Sequence, residues 1–254
     1  MKKFVPQLIY GMKVHILLFF LLSSSLLHLS GQDQHSYSDE FLTSTFSLFH
    51  QADFELAYHM LPFVRKRFIK EIEDPQSFRN PYDSLSKYMR TLFSADSIIK
   101  TYSWDERNGG CCYCSATFAQ FKTDSGSIKY VDLENHEESG TEIFISHLHS
   151  LKVNDEPTYL ILGQGSCCGG KHYASARLFS IINEELVQME SAFDQEMDLF
   201  IGANRSQEFE LRYDPKKKIL SYWEHEFDGN TGFYTNNKTL VKWQLQADGF
   251  LKLN

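Results

Sequence analysis

The chain has 254 residues, of which 42% are hydrophobic and 15% aromatic, and its formal net charge is −8. This share of apolar side chains is sufficient for a packed core, which excludes an intrinsically disordered chain. The acidic balance gives no electrostatic support for binding to the phosphate backbone of nucleic acids, so we expect no nucleic-acid partner.

Residues 1–31 have the pattern of a secretory signal peptide. Three lysines, a 16-residue apolar run (Val14–Leu29) and a small-residue exit at Gly31 follow one another. The run is shorter than the roughly 20 residues of a membrane-spanning helix, so cleavage is favoured over a retained anchor. We therefore predict a secreted or periplasmic protein, with Met12 as an alternative start and no stable membrane span after cleavage.

Removal of residues 1–31 makes the chain more acidic. The remainder has 22 basic and 33 acidic residues, a formal net charge of −11. A surface of this sign is repelled by anionic membranes.

The first part of the mature chain, residues 32–96, has the apolar spacing of helices. Asp39 is a candidate helix cap, and Pro62 is expected to kink or restart the helix that contains it. The two prolines of residues 74–83 predict a loop, after which Ser84 begins a short predicted helix, SLSKYMRTLF.

From Ser97 onward the apolar spacing changes to a period of two, which predicts strands over residues 97–254. The predicted strands are SIIKTYSW, ATFAQFKT, SIKYVDL, TEIFISHLHSL, TYLILGQG, SARLFSII, QEFELRY, KILSYWEHEF, TLVKWQLQ and GFLKL. Turn sequences such as TDSG, NDEP, DPKK and DGNTG separate them. The predicted fold class is α+β, with N-terminal helices packed on one or two mainly antiparallel sheets of a meander, as one globular unit.

The stretch NPYDSL…SIIKTYSWDERNGG resembles a group of uncharacterised secreted proteins of Bacteroidota. In that group a Pro-(Phe/Tyr)-x-x-Leu helix leads into a strand that ends Tyr-Ser-Trp-Asp and is followed by Gly-Gly. The matching residues here are Pro81, Tyr82, Leu85, Tyr102, Ser103, Trp104, Asp105, Gly109 and Gly110. The likeness covers roughly residues 75–254 in outline. It implies secretion, and because the group has no established activity it carries over no catalytic residue. The CCYC that follows Gly-Gly departs from the group's pattern, so the cysteines mark a subgroup.

Five cysteines stand in two clusters, which are Cys111, Cys112 and Cys114, then Cys167 and Cys168. In an oxidising compartment disulfides are the expected state of such residues. Adjacent cysteines on a strand point to opposite faces, so one bridge between the clusters is easy and a second requires a twisted backbone. A bridge that closes a loop of about 50 residues contributes roughly 4 kcal/mol. The odd number leaves one thiol over, or pairs it between chains.

A metal site is the first alternative for these clusters. Cys111 and Cys114 form a C-x-x-C, and His172 follows the second cluster. Thiolates and an imidazole together form a ligand set that suits zinc or copper. A redox-active dithiol is the second alternative, although the C-x-x-C lacks the helix N-terminus that lowers a thiol pKa. Structural disulfides are favoured over both, and no cofactor is predicted.

Two histidines, His147 and His149, share one face of a predicted strand. They are a candidate zinc pair, with His172 or His225 as a third ligand. The simpler interpretation, which we favour, is a sheet face with two hydrogen-bonded or exposed histidines.

Other candidate catalytic groups have structural interpretations. Glu224 and Glu226 share a strand face opposite His225, which is typical of a solvated strand. Trp104 is expected in the core, with the Asp105 carboxylate accepting turn amides.

The sequence contains no nucleophile elbow, P-loop, HExxH or dinucleotide fingerprint. We therefore predict a non-enzymatic binding or structural module for an unidentified protein or small molecule, stabilised by disulfides. A metal-binding protein and a hydrolase with an unrecognised site are the alternatives. An exposed aromatic patch would support binding, and its candidate members are Tyr222, Trp223, Phe227, Phe233, Tyr234 and Trp243.

Overall fold

A computed structural model of the chain describes residues 38–108, 114–134, 142–167 and 169–253, with only the backbone described at Cys167. The predicted signal peptide and three of the five cysteines, Cys111, Cys112 and Cys168, lie outside these residues.

Two helices open the described chain. The first, α1, covers residues 38–51, and the second, α2, covers Phe54–Ile72. Between them Asp53 caps α2, because its carboxylate accepts a hydrogen bond from the Leu56 amide over 2.8 Å. Asp39 lies inside α1 rather than at a cap, and α2 continues through Pro62. The buried face of α2 repeats at three- and four-residue intervals, as an amphipathic helix requires, and consists of Ala57, Leu61, Val64, Phe68 and Ile72.

The prediction of a helix at residues 84–93 is wrong. Two short 3-10 turns, Pro75–Arg79 and Asp83–Lys87, are followed by a strand, β1, over Arg90–Phe93. Pairing with a neighbouring strand decides this segment, since Leu92 stands opposite Thr101 in an antiparallel ladder. Tertiary pairing outweighs the weak local preference for helix.

Thirteen strands in the described residues form three sheets of antiparallel pairs, where one or two sheets were predicted. The first sheet has the spatial order β1, β2 (Ile99–Asp105), β3 (Ser115–Lys122) and β4 (Ile128–Asp132). The second sheet contains β5 (Phe144–Val153), β6 (Glu156–Cys167), β7 (Lys171–Ile182) and β8 (Glu185–Gln188), with β9 (Asp198–Asn204) also pairing with β7. The third sheet contains β10 (Arg212–Asp214), β11 (Ile219–Asp228), β12 (Phe233–Leu245) and β13 (Phe250–Lys252).

The sequence pattern missed β8 and β9 and made β10 too long. Within the predicted strand QEFELRY, only the last two residues belong to β10. Residues 207–211 instead form the irregular connection from β9, in which the Gln207 amide hydrogen-bonds back to Asn204 O over 2.9 Å.

The two helices cover one face of the first sheet, and Trp104 lies at the centre of this core. Its fully buried ring stands edge-on to Phe68, with ring centres 4.9 Å apart, and stacks on Phe118 at 5.6 Å. The prediction that Trp104 is a core residue is confirmed.

Two further apolar cores hold the three sheets together. One joins the first and second sheets, and its largest members are Phe121, Tyr159, Tyr173 and Phe179. The other joins the second and third sheets, and its largest members are Phe193, Phe209, Tyr213, Tyr222, Trp243 and Phe250. The helices, first sheet, second sheet and third sheet are therefore linked in sequence by three cores, and the α+β class is confirmed.

Among the described residues, neither helix is long and apolar enough to cross a bilayer.

Candidate functional site

A cleft of about 460 Å³ opens where the first and second sheets end beside the connection between β9 and β10. Five separate stretches of chain contribute to its wall. The lining residues are Asp105, Phe144, Gln164, Gly165, Ser166, His172 and Arg205. The volume lies within the range of small-molecule sites. The lining has one aromatic and five polar side chains, so polar groups dominate it.

The hairpin of β6 and β7 positions four of these residues. Ser166 stands directly opposite His172 in the ladder, and Gln164 lies two residues earlier on the same face of the sheet. Gly165, between them, is required by close packing, since a Cβ there would lie 2.3 Å from the Tyr173 hydroxyl oxygen. That hydroxyl donates a hydrogen bond to the Glu142 carbonyl.

His172 is held in one orientation on the cleft wall. Its Nε2 donates a hydrogen bond to the Gln207 carbonyl over 2.8 Å, and its ring packs on Phe209 with centres 4.3 Å apart. Burial lowers the pKa of His172 below its usual value, and the charges of Arg205 and His225 lower it further. The imidazole is therefore disposed to be neutral and to present a polar edge without a full charge.

Asp105 stands at the end of β2 and organises the turn that follows. Its Oδ1 accepts a hydrogen bond from the Arg107 amide over 2.8 Å, as the sequence predicted. Arg107 has φ of 56° and donates from its guanidinium to the carbonyls of Phe49 and His50, at the end of α1. The carboxylate is thus fixed to the helical layer, which gives this side of the cleft a rigid negative charge.

Arg205 brings the opposite charge. It directly follows β9, its amide donates to the Gly170 carbonyl over 2.9 Å, and its side chain is exposed where it lines the cleft. A carboxylate and a guanidinium on one cleft can bind complementary charged groups of a single ligand.

Both cysteine clusters reach the border of this cleft. Cys114 directly precedes Ser115, the ladder partner of Asp105, and Cys167 directly follows Ser166. The pairing of the cysteines stays a prediction, because Cys111, Cys112 and Cys168 lie outside the described residues.

The histidine pair lies elsewhere. The rings of His147 and His149 are parallel on β5, with centres 6.0 Å apart, and His149 also stands edge-on to Tyr213. Burial lowers the pKa of His149, and the neighbouring His147 lowers it further.

His172, one of the two proposed third metal ligands, is not near this pair. His149 stands opposite Leu160 on β6, whereas His172 stands opposite Ser166, so six residues, about 20 Å along a strand, separate them. Within the described part of the chain, no three His, Cys, Asp or Glu side chains are grouped as a metal site.

The interpretation of Glu224, His225 and Glu226 as a strand face is confirmed. Both carboxylates are exposed, and His225 is buried on the opposite face. The aromatic patch is smaller than predicted, because Tyr222 and Trp243 are core residues and Phe227 and Phe233 are the exposed members.

Sequence reasoning did not select Arg205, Gln164, Ser166 or Phe144 as site residues. The one available signal was GQGS directly before the second cysteine pair, since a glycine within a strand often marks a close backbone approach. Arg205 has no such signal, because only the tertiary fold brings it to the cleft.

Comparisons with protein-family models, curated proteins and solved structures found no match for this chain.

Proposed function

We propose that this protein is a secreted or periplasmic, non-enzymatic binding module that holds a small zwitterionic ligand, such as an amino acid or short peptide, in the cleft. One observation carries the proposal: Asp105 and Arg205, far apart in sequence, place opposite charges on one small cleft. Gln164 and Ser166 add neutral hydrogen-bonding groups, and Phe144 adds an apolar wall.

The position of the cysteines supports a disulfide-stabilised module. A bridge between the two clusters would tie the end of β6 to the start of β3, which are the two borders of the cleft. Such a disulfide would hold Ser166 and Asp105 at a fixed separation. It would therefore reduce the loss of conformational entropy on ligand binding. The resemblance to secreted Bacteroidota proteins points to the same compartment.

The test is a thermal-shift screen of the purified protein against the standard L-amino acids and a set of dipeptides, followed by calorimetry of any hit. We expect a saturable hit that Arg205→Gln weakens at least about tenfold, the usual effect of losing a charge-assisted hydrogen bond. Arg212→Gln, an exposed arginine on β10 outside the cleft, is the matched control and should not change affinity. The absence of any hit, or equal loss in both variants, would overturn the proposal.

A metal-binding function is the second candidate, and the parallel pair of His147 and His149 favours it. Two imidazoles spaced by two residues on a strand can chelate one late transition metal, and burial disposes His149 to the neutral, ligating form. Calorimetry with CuSO₄ or ZnCl₂ should then show one site that is lost in His147→Ala. Binding that survives this substitution would exclude the pair as the site.

A further inference from the structure

A second cleft, of about 810 Å³, opens at the end of the first sheet that lies away from Asp105. Three stretches of chain meet there, which are the turn Pro75–Arg79, the hairpin of β1 and β2, and the hairpin of β3 and β4. The two clefts share no lining residue. The volume of the second cleft lies within the range of small-molecule sites, so it is a candidate site in its own right.

The charged groups on the second cleft all have one sign. Arg79 and Lys122 line it, and none of the described lining residues is an aspartate or a glutamate. Both cationic side chains are exposed, and within the described part of the chain neither has an ion pair or a side-chain hydrogen bond. The chain as a whole has a formal net charge of −8, so this cleft reverses the overall sign. A cleft lined by one sign of charge concentrates ligands of the opposite sign.

Phe93, at the end of β1, adds a fixed aromatic surface to this cleft. Its side chain is 43% exposed, and its ring stands edge-on to the ring of Phe78 with centres 6.1 Å apart. Its ladder partner on β2 is Lys100, whose buried Nζ lies 5.0 Å from the Phe93 ring centre. The contacts with Phe78 and Lys100 fix the ring from its buried side, and the exposed part of the ring is available to a ligand.

Lys100 also fixes the turn that contains Arg79. Its Nζ donates hydrogen bonds to the main-chain carbonyls of Ser77 and Asn80, the first over 3.2 Å. Arg79 lies between these two residues, so its main chain is held against the first sheet. One buried ammonium group therefore contacts both the aromatic wall and the turn that supplies the guanidinium, which preorganises this side of the cleft.

The opposite side of the cleft is held by the sheet itself. Lys122 ends β3, where it stands opposite Ile128 on β4, and its amide donates to the Ile98 carbonyl over 2.9 Å. Ser97, which directly precedes Ile98, has φ of 57° and adds a hydroxyl to the lining. The main chain on this side is thus part of the ladder, and only the side chains of Lys122 and Ser97 need to adjust to a ligand.

We propose that the second cleft is a binding site for a small aromatic phosphate monoester. The phosphate group accepts hydrogen bonds from the guanidinium of Arg79 and the ammonium group of Lys122. The aromatic ring of the same ligand stacks on the exposed part of Phe93. The Ser97 hydroxyl and the Gln76 amide add neutral donors at the border of the cleft.

The number of cations favours a phosphate monoester over a carboxylate. A phosphate monoester carries about 1.5 to 2 negative charges at neutral pH and three strong acceptor oxygens, whereas a carboxylate carries one charge. Two cations without a neighbouring acid match the larger charge. The first cleft differs in this respect, because Asp105 beside Arg205 suits a ligand with both signs of charge.

Calorimetric titration of the purified protein with 1-naphthyl phosphate tests the proposal. Inorganic phosphate lacks the ring and 1-naphthol lacks the charge, so we expect each to bind at least about tenfold more weakly. Binding of 1-naphthyl phosphate should be saturable and should weaken in about 0.5 M NaCl, since exposed charges are screened. The absence of saturable binding would overturn the proposal, and so would equal affinity for 1-naphthol or for inorganic phosphate.

Two variants place the ligand in this cleft. Arg79→Gln and Lys122→Gln should each weaken binding of 1-naphthyl phosphate at least about tenfold. Both positions are exposed, so both variants should keep the unfolding temperature of the unmodified protein. The matched controls are Arg212→Gln and Lys242→Gln, exposed positions on the third sheet that should not change affinity. Unchanged affinity in Arg79→Gln and Lys122→Gln, or an equal loss in the controls, would overturn the assignment.

Competition separates this site from the first cleft. An amino acid that binds beside Asp105 and Arg205 should not displace 1-naphthyl phosphate, because the two clefts share no lining residue. Mutual displacement would place the probe in the first cleft and would overturn the second site. Failure of the amino-acid screen, in contrast, would leave the result for 1-naphthyl phosphate unchanged.

Discussion

The side-chain amide of Asn204 pairs with the main chain of Tyr234 as a neighbouring strand would. Its Nδ2 donates to the Tyr234 carbonyl over 2.6 Å, and its Oδ1 accepts from the Tyr234 amide over 3.1 Å. These bonds fasten the start of β12 to the end of β9, directly beside Arg205 and the cleft. The position of Arg205 therefore depends on a contact between the second and third sheets.

We expect Asn204→Ala to lower the free energy of unfolding by about 1–2 kcal/mol, because two strand-like hydrogen bonds are lost. Hydrogen exchange of the Tyr234 amide should accelerate in the same variant. Asn237→Ala is the control, since the Asn237 side chain donates to the exposed Glu226 carboxylate and not to the main chain of Tyr234 among the described residues. Unchanged exchange at Tyr234 in Asn204→Ala would contradict this account.

A buried ion pair links the first and second sheets. Arg177 on β7 donates to the Glu134 carboxylate over 3.4 Å, with side chains 7% and 0% exposed. Glu134 also accepts from the Ile143 amide, and burial raises its pKa even though Arg177 opposes the shift. We expect Arg177→Met to cost about 3–5 kcal/mol, because it leaves a buried carboxylate unpaired.

The double variant Glu134→Leu with Arg177→Met should recover much of that loss, as removal of both charges removes the unpaired group. Chemical denaturation of the four proteins in this cycle measures the coupling. Lys129→Met disrupts an exposed pair with Glu184 at 3.7 Å and should leave stability nearly unchanged. Equal losses of unfolding free energy in Arg177→Met and Lys129→Met would show that burial does not determine how much an ion pair contributes to stability.

Gly165 fixes the wall of the cleft. In Gly165→Ala the new Cβ would meet the Tyr173 hydroxyl at 2.3 Å and the Glu142 carbonyl oxygen at 2.5 Å. We expect a loss of about 1–3 kcal/mol from overpacking, together with weaker ligand binding. Gly229→Ala is the matched control, because its Cβ would meet no atom within 4 Å. If thermal unfolding showed that Gly165→Ala is as stable as the unmodified protein, the strand would be able to shift at this position without loss of stability.

Three half-buried histidines make the protein less stable in acid. The pKa values of His50, His149 and His172 are all lowered, with burial as the largest cause. A lowered pKa means that the unfolded chain binds protons more readily, so stability falls as pH drops below about 6.5. Guanidinium unfolding at about pH 7.5 and 5.5 should show this loss, and His149→Gln should reduce it. An identical pH dependence in His149→Gln would remove His149 from the explanation.

Local patterns in the sequence determined the secondary structure where burial is regular. The alternation in IKTYSWD, SATFAQFK and ILSYWEHEF marks β2, β3 and β11 because each strand packs against a core. Turn chemistry is equally local. Asn154 and Asp155, predicted as a turn, both have positive φ between β5 and β6.

The tertiary structure decided what depends on distant partners. β1 and β9 are strands because a neighbouring strand pairs with them, although their own sequences do not alternate clearly. The division into three sheets also depends on which apolar faces meet, and neither composition nor spacing encodes that choice.

The residues of the candidate sites also divide into those that the sequence marked and those that only the fold brought together. Sequence identified Asp105 as a turn residue and singled out His172, but not the cleft that Arg205 and Gln164 complete with them. It marked Tyr82 and Tyr102 within a motif, but not the buried Lys100, whose Nζ lies 4.4 and 4.9 Å from their ring centres. Periodicity reports which face of an element is buried, whereas a binding or reactive site requires particular atoms from separate elements to meet, and only packing in three dimensions brings them together.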